Sequence, residues 1–589
     1  MKSRKAIIGA LLVGAFFISA CGSSGSGVRN ASLTSGESSG GRSGTDEGIK
    51  DGGTLFILDH STGATNLDPQ RIYTGADLGF LGSTITRTLT SYTPVAGKAG
   101  TQLIADLATD TGTPSDDVKT WSFTLRDGVT FEDGAAIVCA DIRYGVSRTF
   151  ASEMTGDEGP LYATTMLAIE GEYPGPYTAT ADQQAAYEKA VECSEDGKTI
   201  TFHLKNPVAD FNYTVALLAF APVPKASDTA DKYTLKPVSS GPFMIKSYEE
   251  GKELIMVRNP NWSADSDPVR KPHVDEIHWQ FGLDESVIDE RMIADAGDDQ
   301  ATIVYGGLQP ENLQTIFDNE TYADRRTDGF DGFVSYTMIN IKKVPCLEVR
   351  QAFWLALDRE ALRTAGGGPF TGEFADSFIN PLLATDYAPG TVTEGLNADG
   401  TPNVEAAQAK MDAAKESCPE VHKHATEDGL RFDHGQSELW AKLISIWIDS
   451  LGAVGIKIID NAIEPSKYYA TINKDPGDLM RAGWAADWNN ASTVVPELFT
   501  KEGGFNYSQN WEDPAYPAFS DKVNLAKAEV DRSKQATMWQ ELNQYVLDQA
   551  WAVPGSFTKA QNLVGSRVRN AYPWLPFGWY NVGAIGLAE

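Results

Sequence analysis

Histidine and cysteine are scarce in this 589-residue chain, at 7 and 5 residues. None is spaced as a CxxC pair or a Cys/His set, so nothing points to a zinc centre. Positive charge is in deficit: 49 Lys plus Arg face 80 Asp plus Glu, a formal net charge of −31. Such a surface repels phosphate backbones, which argues against nucleic-acid binding. It also disfavours electrostatic docking on anionic lipid. The acidity fits solubility, and equally a preference for cationic or zwitterionic ligands. Catalytic signatures are missing too. There is no G-x-S-x-G elbow between a strand and a helix, no H-E-x-x-H, no Walker loop and no G-x-G-x-x-G. A secreted hydrolase therefore has no motif behind it, and no cofactor is expected. No apolar run reaches the roughly 20 residues that cross a bilayer as a helix.

What is present begins with an address. Lys2, Arg4 and Lys5 precede an apolar run from Ala6 to Ala20. Its length suits a signal-peptide core. It ends Ile18-Ser19-Ala20-Cys21, which resembles the bacterial lipobox, in which the cysteine becomes lipidated. Residues 1–21 are thus expected to be a lipoprotein leader. Residues 22–52 are rich in Gly and Ser and poor in apolar side chains, as a flexible tether would be. These features place the protein outside the cytoplasm, lipid-anchored to the outer face of a bacterial cytoplasmic membrane.

The rest is globular in composition, 42% hydrophobic and 10% aromatic. Its length calls for two to four domains or lobes. Strand-like and helix-like segments alternate, which gives a mixed α/β architecture. Residues 53–59, 121–126 and 199–204 read as strands, the last two adjoining Asp-Gly turns. Apolar spacings of three and four predict helices over 348–365, 438–451 and 533–549, and a strand over 456–459. The Gly/Pro-rich stretch 155–181 reads as a surface insertion. His422-Lys423-His424 could chelate a metal, but it sits in a polar, loop-like stretch, and no metal site is assigned.

Four blocks carry a resemblance. Trp121 to Arg148 holds Leu-Arg-Asp-Gly at 125–128, Phe-x-Asp-Gly at 131–134, then Ala140-Asp141-Ile142 and Arg148. Ser240-Gly-Pro-Phe243 leads to Arg258-Asn-Pro-Asn-Trp262. Asn340 precedes Val349-Arg350-Gln-Ala352 and Leu357-Asp-Arg359-Glu360, and Gly483-Trp484-Ala-Ala-Asp487-Trp488 follows. In this order the blocks resemble the family-5 extracellular solute-binding proteins, the dipeptide, oligopeptide and nickel receptors of ABC importers. Read physically, the Asp-Gly pairs form turns and Asp141 suits a helix start. Arg350 and Arg359 read as scaffold ion pairs.

The resemblance implies an α/β, two-lobed clamp of the type II periplasmic-binding-protein kind with an extra inserted subdomain. Residues 53–93, 222–330 and 552–589 would form lobe I, 94–221 the subdomain and 331–551 lobe II. The ligand would lie between the lobes, which close by a hinge. In an exported chain the four remaining cysteines suggest two disulfides, with three pairings open. Cys139–Cys193 and Cys346–Cys418 each stay within one proposed lobe and are the expected pairs.

The family's peptide receptors hold the ligand's α-ammonium with an acid that Asp487 matches. A carboxylate in a closed, dry cleft binds that group without reading side chains. Trp484 and Trp488 flank the acid, as cleft wall or as core. Asn66, in Asn-Leu-Asp-Pro at 66–69, resembles a cleft-edge residue. The family often continues with Asp-Pro or Glu-Pro after this acid; here Asn489-Asn490-Ala491 stands instead, so the loop and the ligand could differ. The expected partners are a short peptide and an ABC importer's permease subunits, with the protein itself a monomer. A metal chelate or other non-peptide solute is the alternative ligand.

Overall fold

The computed structural model describes residues 46, 48–61, 63–64, 66–151, 159–464 and 467–589. The expected leader, Cys21 and most of the tether lie outside them. Among the described residues, no helix is long and apolar enough to cross a membrane.

Three sheets organise the chain. The first runs Thr302–Tyr305, Thr54–Asp59, Glu276–Gln280, Glu253–Arg258, Phe243–Glu249 in spatial order. Its first three strands are parallel and the rest antiparallel. Thr54–Asp59 lies inside this sheet, and its Leu55, Ile57 and Leu58 are fully buried, as a run paired on both edges requires. The second sheet pairs Thr113–Pro114, Thr120–Thr124, Thr199–His203 and Val191–Cys193, all antiparallel. Alternating Trp121 and Phe123 face Ile200 and Phe202 in one core.

The third sheet has six strands in the order Gly372–Phe374, Ala552–Leu563, Arg326–Ile339, Leu479–Trp484, Leu430–Gly435, Ile458–Ile463. Its long pair, Arg326–Ile339 with Ala552–Leu563, changes register between Phe330 and Val334. Gly332, at φ +85°, supplies the left-handed backbone that this irregularity needs. The pairing extends past the strand ends through Val564 N–H to Arg325 O at 2.8 Å, and Leu308 N–H donates to Gln561 O of the long strand at 3.1 Å.

Buried charge ties the first lobe together. Asp106 accepts from Arg87 Nε at 2.8 Å and from Arg270 Nη1 at 2.9 Å, and all three side chains are at most 2% exposed. Arg148 clamps Asp68 with two bonds of 2.8 and 2.6 Å. Both expected disulfides are formed, Cys139–Cys193 and Cys346–Cys418.

Three local expectations need correction. The helix expected over 348–365 is two, Leu347–Ala356 and Arg359–Ala365. Asp358 breaks it: its side chain accepts from Ala361 N–H at 2.8 Å and caps a new helix start. The strand expected from 456 starts at Ile458. Within the stretch read as a surface insertion, Tyr162–Met166 is helical, and Tyr162 is only 6% exposed.

Candidate ligand cleft

The strand Leu479–Trp484 runs out of the third sheet and delivers Trp484, Asp487 and Trp488 to the contact between the lobes. Asp487 itself is half-buried. Its Oδ2 accepts hydrogen bonds from Tyr73 Oη at 2.8 Å and from Tyr162 Oη. Tyr73 follows the first strand of lobe I, and Tyr162 belongs to the segment between the second sheet's strands. Three parts of the chain thus meet on one carboxylate. The loop is held from behind, where Asp487 N–H donates to Thr493 Oγ1 at 3.1 Å.

Burial pushes the Asp487 carboxyl up to about 7, against the pull of the two tyrosine hydroxyls; the carboxylate of Glu497 adds to the rise. Among the described residues no Lys, Arg or His comes within ion-pair distance of Asp487. An ionised acid held in a partly buried interface without a cation is stabilised when a cationic group arrives.

The two tryptophans divide their roles. Trp488 is 3% exposed and belongs to the core of the first lobe, where its ring packs 4.9 Å from Tyr162. Its Nε1 donates to Asp210 Oδ2 at 2.6 Å, and Ser492 Oγ donates to the same oxygen at 2.7 Å. Trp484 is partly exposed, packs with its ring tilted 47° and 4.5 Å from Phe505, and donates Nε1 to Thr493 O at 2.8 Å. Asn66 is 8% exposed, with its Oδ1 bonded by Asp68 N–H at 2.9 Å, and is not among the partners of Asp487. His422 and His424 lie in a short helix and a following turn, not a loop. His424 Nε2 meets Asp478 Oδ1 at 2.8 Å and its Nδ1 faces Asp428 at 3.7 Å, so its ring is committed to carboxylates.

The lobes touch in this structure. A cavity of about 40 Å³ remains between them, lined by Tyr92 and Thr101 on one side and Ala485, Ala486 and Trp488 on the other. A larger cavity of about 280 Å³ opens within the second lobe, against Arg481 and Ala482 of the same strand. Arg359 also lines it. This arginine, expected as an ion-pairing scaffold residue, is 7% exposed and has no carboxylate within ion-pair distance among the described residues. The reason is its placement: the guanidinium stacks 4.7 Å from the Phe374 ring and donates to Asn397 O.

Sequence reading missed Tyr73, Tyr162, Asp210 and Arg481. An isolated tyrosine carries no spacing signal, and each reaches the cleft only through tertiary packing. Arg481 had a signal, two residues ahead of the Gly-Trp element.

Comparison with known proteins agrees with this architecture. The family described as "Bacterial extracellular solute-binding proteins, family 5 Middle" matches residues 102–506. The oligopeptide-binding protein OppA of Bacillus subtilis is 23% identical over 571 residues, covering 94% of each chain. The periplasmic murein peptide-binding protein MppA of Escherichia coli is 24% identical, covering 72% of this chain and 73% of its own. Among solved structures, the clavulanic acid biosynthesis oligopeptide binding protein 2 superposes with a TM-score of 0.79 at 27% identity, over 93% of this chain and 99% of that one. Haemophilus influenzae OppA, solved with the peptide RPPGFSPFR, gives a TM-score of 0.68 at 17% identity, over 92% and 100%. The resemblance read from the four blocks, and the two-lobed α/β fold it implied, are borne out. This chain belongs to the family-5 bacterial extracellular solute-binding proteins, which are transport receptors rather than enzymes.

Proposed function

We propose that the protein captures short peptides between its lobes and hands them to the permease of an ABC importer. A lipid on Cys21 would hold it at the outer face of the membrane, with residues 22–52 as tether. The lobe limits are taken as 53–93, 222–330 and 552–589 for lobe I, 94–221 for the subdomain and 331–551 for lobe II, in a monomer.

The observation that carries this reading is the Asp487 carboxylate, set in the interlobe contact with tyrosine hydroxyls and no cation. A peptide's α-ammonium supplies the missing charge. Opening the clamp frees Oδ2 from Tyr73 and Tyr162, and the ammonium then takes a place among the same groups on closure. Arg481 supports the other end. It lies on the strand that leads to Asp487, six positions before it and at most about 20 Å away. Its guanidinium stands 6.0 Å over the Trp440 ring and has no ion pair among the described residues. A zwitterionic chain of a few residues, extended along this strand, puts its ends near both charges. The relatives' names, which specify peptides, point the same way.

Calorimetric titration tests the reading. Asp487→Asn should weaken a free-amino peptide about tenfold or more, near 1.4 kcal/mol. N-acetylated and free peptides binding the wild type equally would sink it.

A further inference from the structure

The second lobe's cavity is too large to be a packing defect. Cores fill to crystal-like density, and voids much beyond a water molecule are few. At about 280 Å³ it approaches the range of roughly 300–1,000 Å³ typical of small-molecule pockets. Its floor is the sheet, with Ser335, Thr337, Ser556 and Thr558 facing it. Its roof is formed by the helices Arg359–Ala365 and Glu438–Gly452, which pack on each other.

Two properties of the lining define what fits. Most of the wall is apolar and aromatic: Trp354, Trp440, Trp447, Leu443 and Phe374. Set into that wall are three arginines in a chain of net charge −31. Arg481 has no ion pair, as described above. Arg359 is buried with its Nε unpartnered, and Arg363 also leaves Nε unpartnered, although it pairs with Glu360. Both guanidiniums stand 4.7 Å from the Phe374 ring. Burial holds Arg359 below the usual guanidinium range, as an uncompensated cation would be. An excess of positive charge beside an aromatic chamber matches a bulky apolar group carrying a carboxylate.

The cavity also lies end to end with the interlobe site. Gly332, Ala485 and Ala486 line the smaller cavity, while Ser335, Thr337, Arg481 and Ala482 line the larger one along the same two strands. We infer that this cavity receives the last residue of the bound peptide and selects a large apolar, above all aromatic, side chain beside a free carboxylate. The inference rests on the peptide reading of Asp487. An aromatic side chain fits because it brings large apolar area with only two torsions to freeze. A terminal lysine is rejected by the three arginines, and a terminal alanine leaves the chamber unfilled.

The test compares peptides of three to six residues that differ only in ending with Phe, Ala or Lys. Each is titrated calorimetrically into the purified protein, with free and amidated termini. N-acetylphenylalanine is the companion probe, since it carries the aromatic carboxylate without the ammonium that Asp487 would hold. Phe-ended peptides should bind at least tenfold tighter than Ala-ended ones, and amidation should remove most of the gain. Leu443→Trp, which fills the chamber from the helix side, should bring Phe- and Ala-ended peptides within threefold and abolish N-acetylphenylalanine binding. Equal wild-type affinity for Phe- and Ala-ended peptides overturns the pocket while leaving the peptide reading intact, and this comparison needs no variant. N-acetylphenylalanine binding that Leu443→Trp abolishes, with no free peptide bound, upholds the pocket and overturns the peptide reading. A Phe preference that survives Leu443→Trp overturns the assignment to this cavity. Silence from every probe overturns both.

Discussion

Tyr162 donates its hydroxyl to Oδ2 of Asp487, the oxygen that Tyr73 also binds. The acid comes from the second lobe, and the two phenols come from opposite ends of a long stretch of the first. This trio makes the cleft's polar centre. With Trp488 locked to Asp210, it also holds the lobes together. A ligand group at Asp487 therefore competes for a site that closure itself uses.

On the proposed reading, the raised Asp487 carboxyl makes capture pH-dependent. With the acid at about 7 in the ligand-free clamp, its ionised fraction rises with pH through neutrality. The ligand's α-ammonium is lost above about 8. Affinity should peak between these values. It should fall about tenfold per unit below pH 6.5 until the bound-state value of Asp487 is reached. Titrations from pH 5 to 9 check this, and a flat profile contradicts it. An N-acetylated peptide should not show the rise.

Tyr162→Phe removes one of the two bonds that favour the ionised acid. The Asp487 carboxyl should move higher still, shifting the midpoint of the affinity profile upward. Affinity at pH 7 should fall several-fold and recover at higher pH. A uniform loss at every pH would mean that the phenol acts only through packing.

Asp106→Asn should destabilise the first lobe strongly. Two arginines, each 2% exposed, share that carboxylate. Removing one partner of a buried network typically costs about 3–5 kcal/mol, because the remaining charge stays buried. Urea unfolding followed by tryptophan fluorescence reads the loss. Asp267 also meets both arginines, at 3.4 Å from Arg87 and 3.2 Å from Arg270, so a change under about 1 kcal/mol would show that it compensates alone.

The disulfides should matter for stability and little for binding. Sequence separations of 54 and 72 residues give about 4 kcal/mol each by loop-closure entropy. Neither bridge touches Asp487. Paired Cys→Ser variants should unfold at lower urea while keeping peptide affinity within about twofold where folded.

Much of this was legible because it is local. A short apolar run located Thr54–Asp59, and period-two and three-four apolar spacing located Thr199–His203 and Glu438–Gly452, all within two residues, since burial imposes such patterns wherever an element meets a core. Asp358 shows where the pattern misleads. The apolar stripe runs on past it, but a side chain that bonds its own backbone stops one helix and starts another.

The sequence by itself determined several strands and helices, because local apolar spacing carries that information, and it determined the family and the candidate acid at 487 through four blocks that resemble known relatives. Only the tertiary structure decided which phenols meet that acid, that Trp488 belongs to the opposite lobe's core, and that Arg359 and Arg481 face one chamber. Tyr73 and Asp487 are 414 positions apart. No local propensity couples such residues. Their contact exists because two independently packed lobes close on each other, and that closure also sets the low polarity that raises the acid.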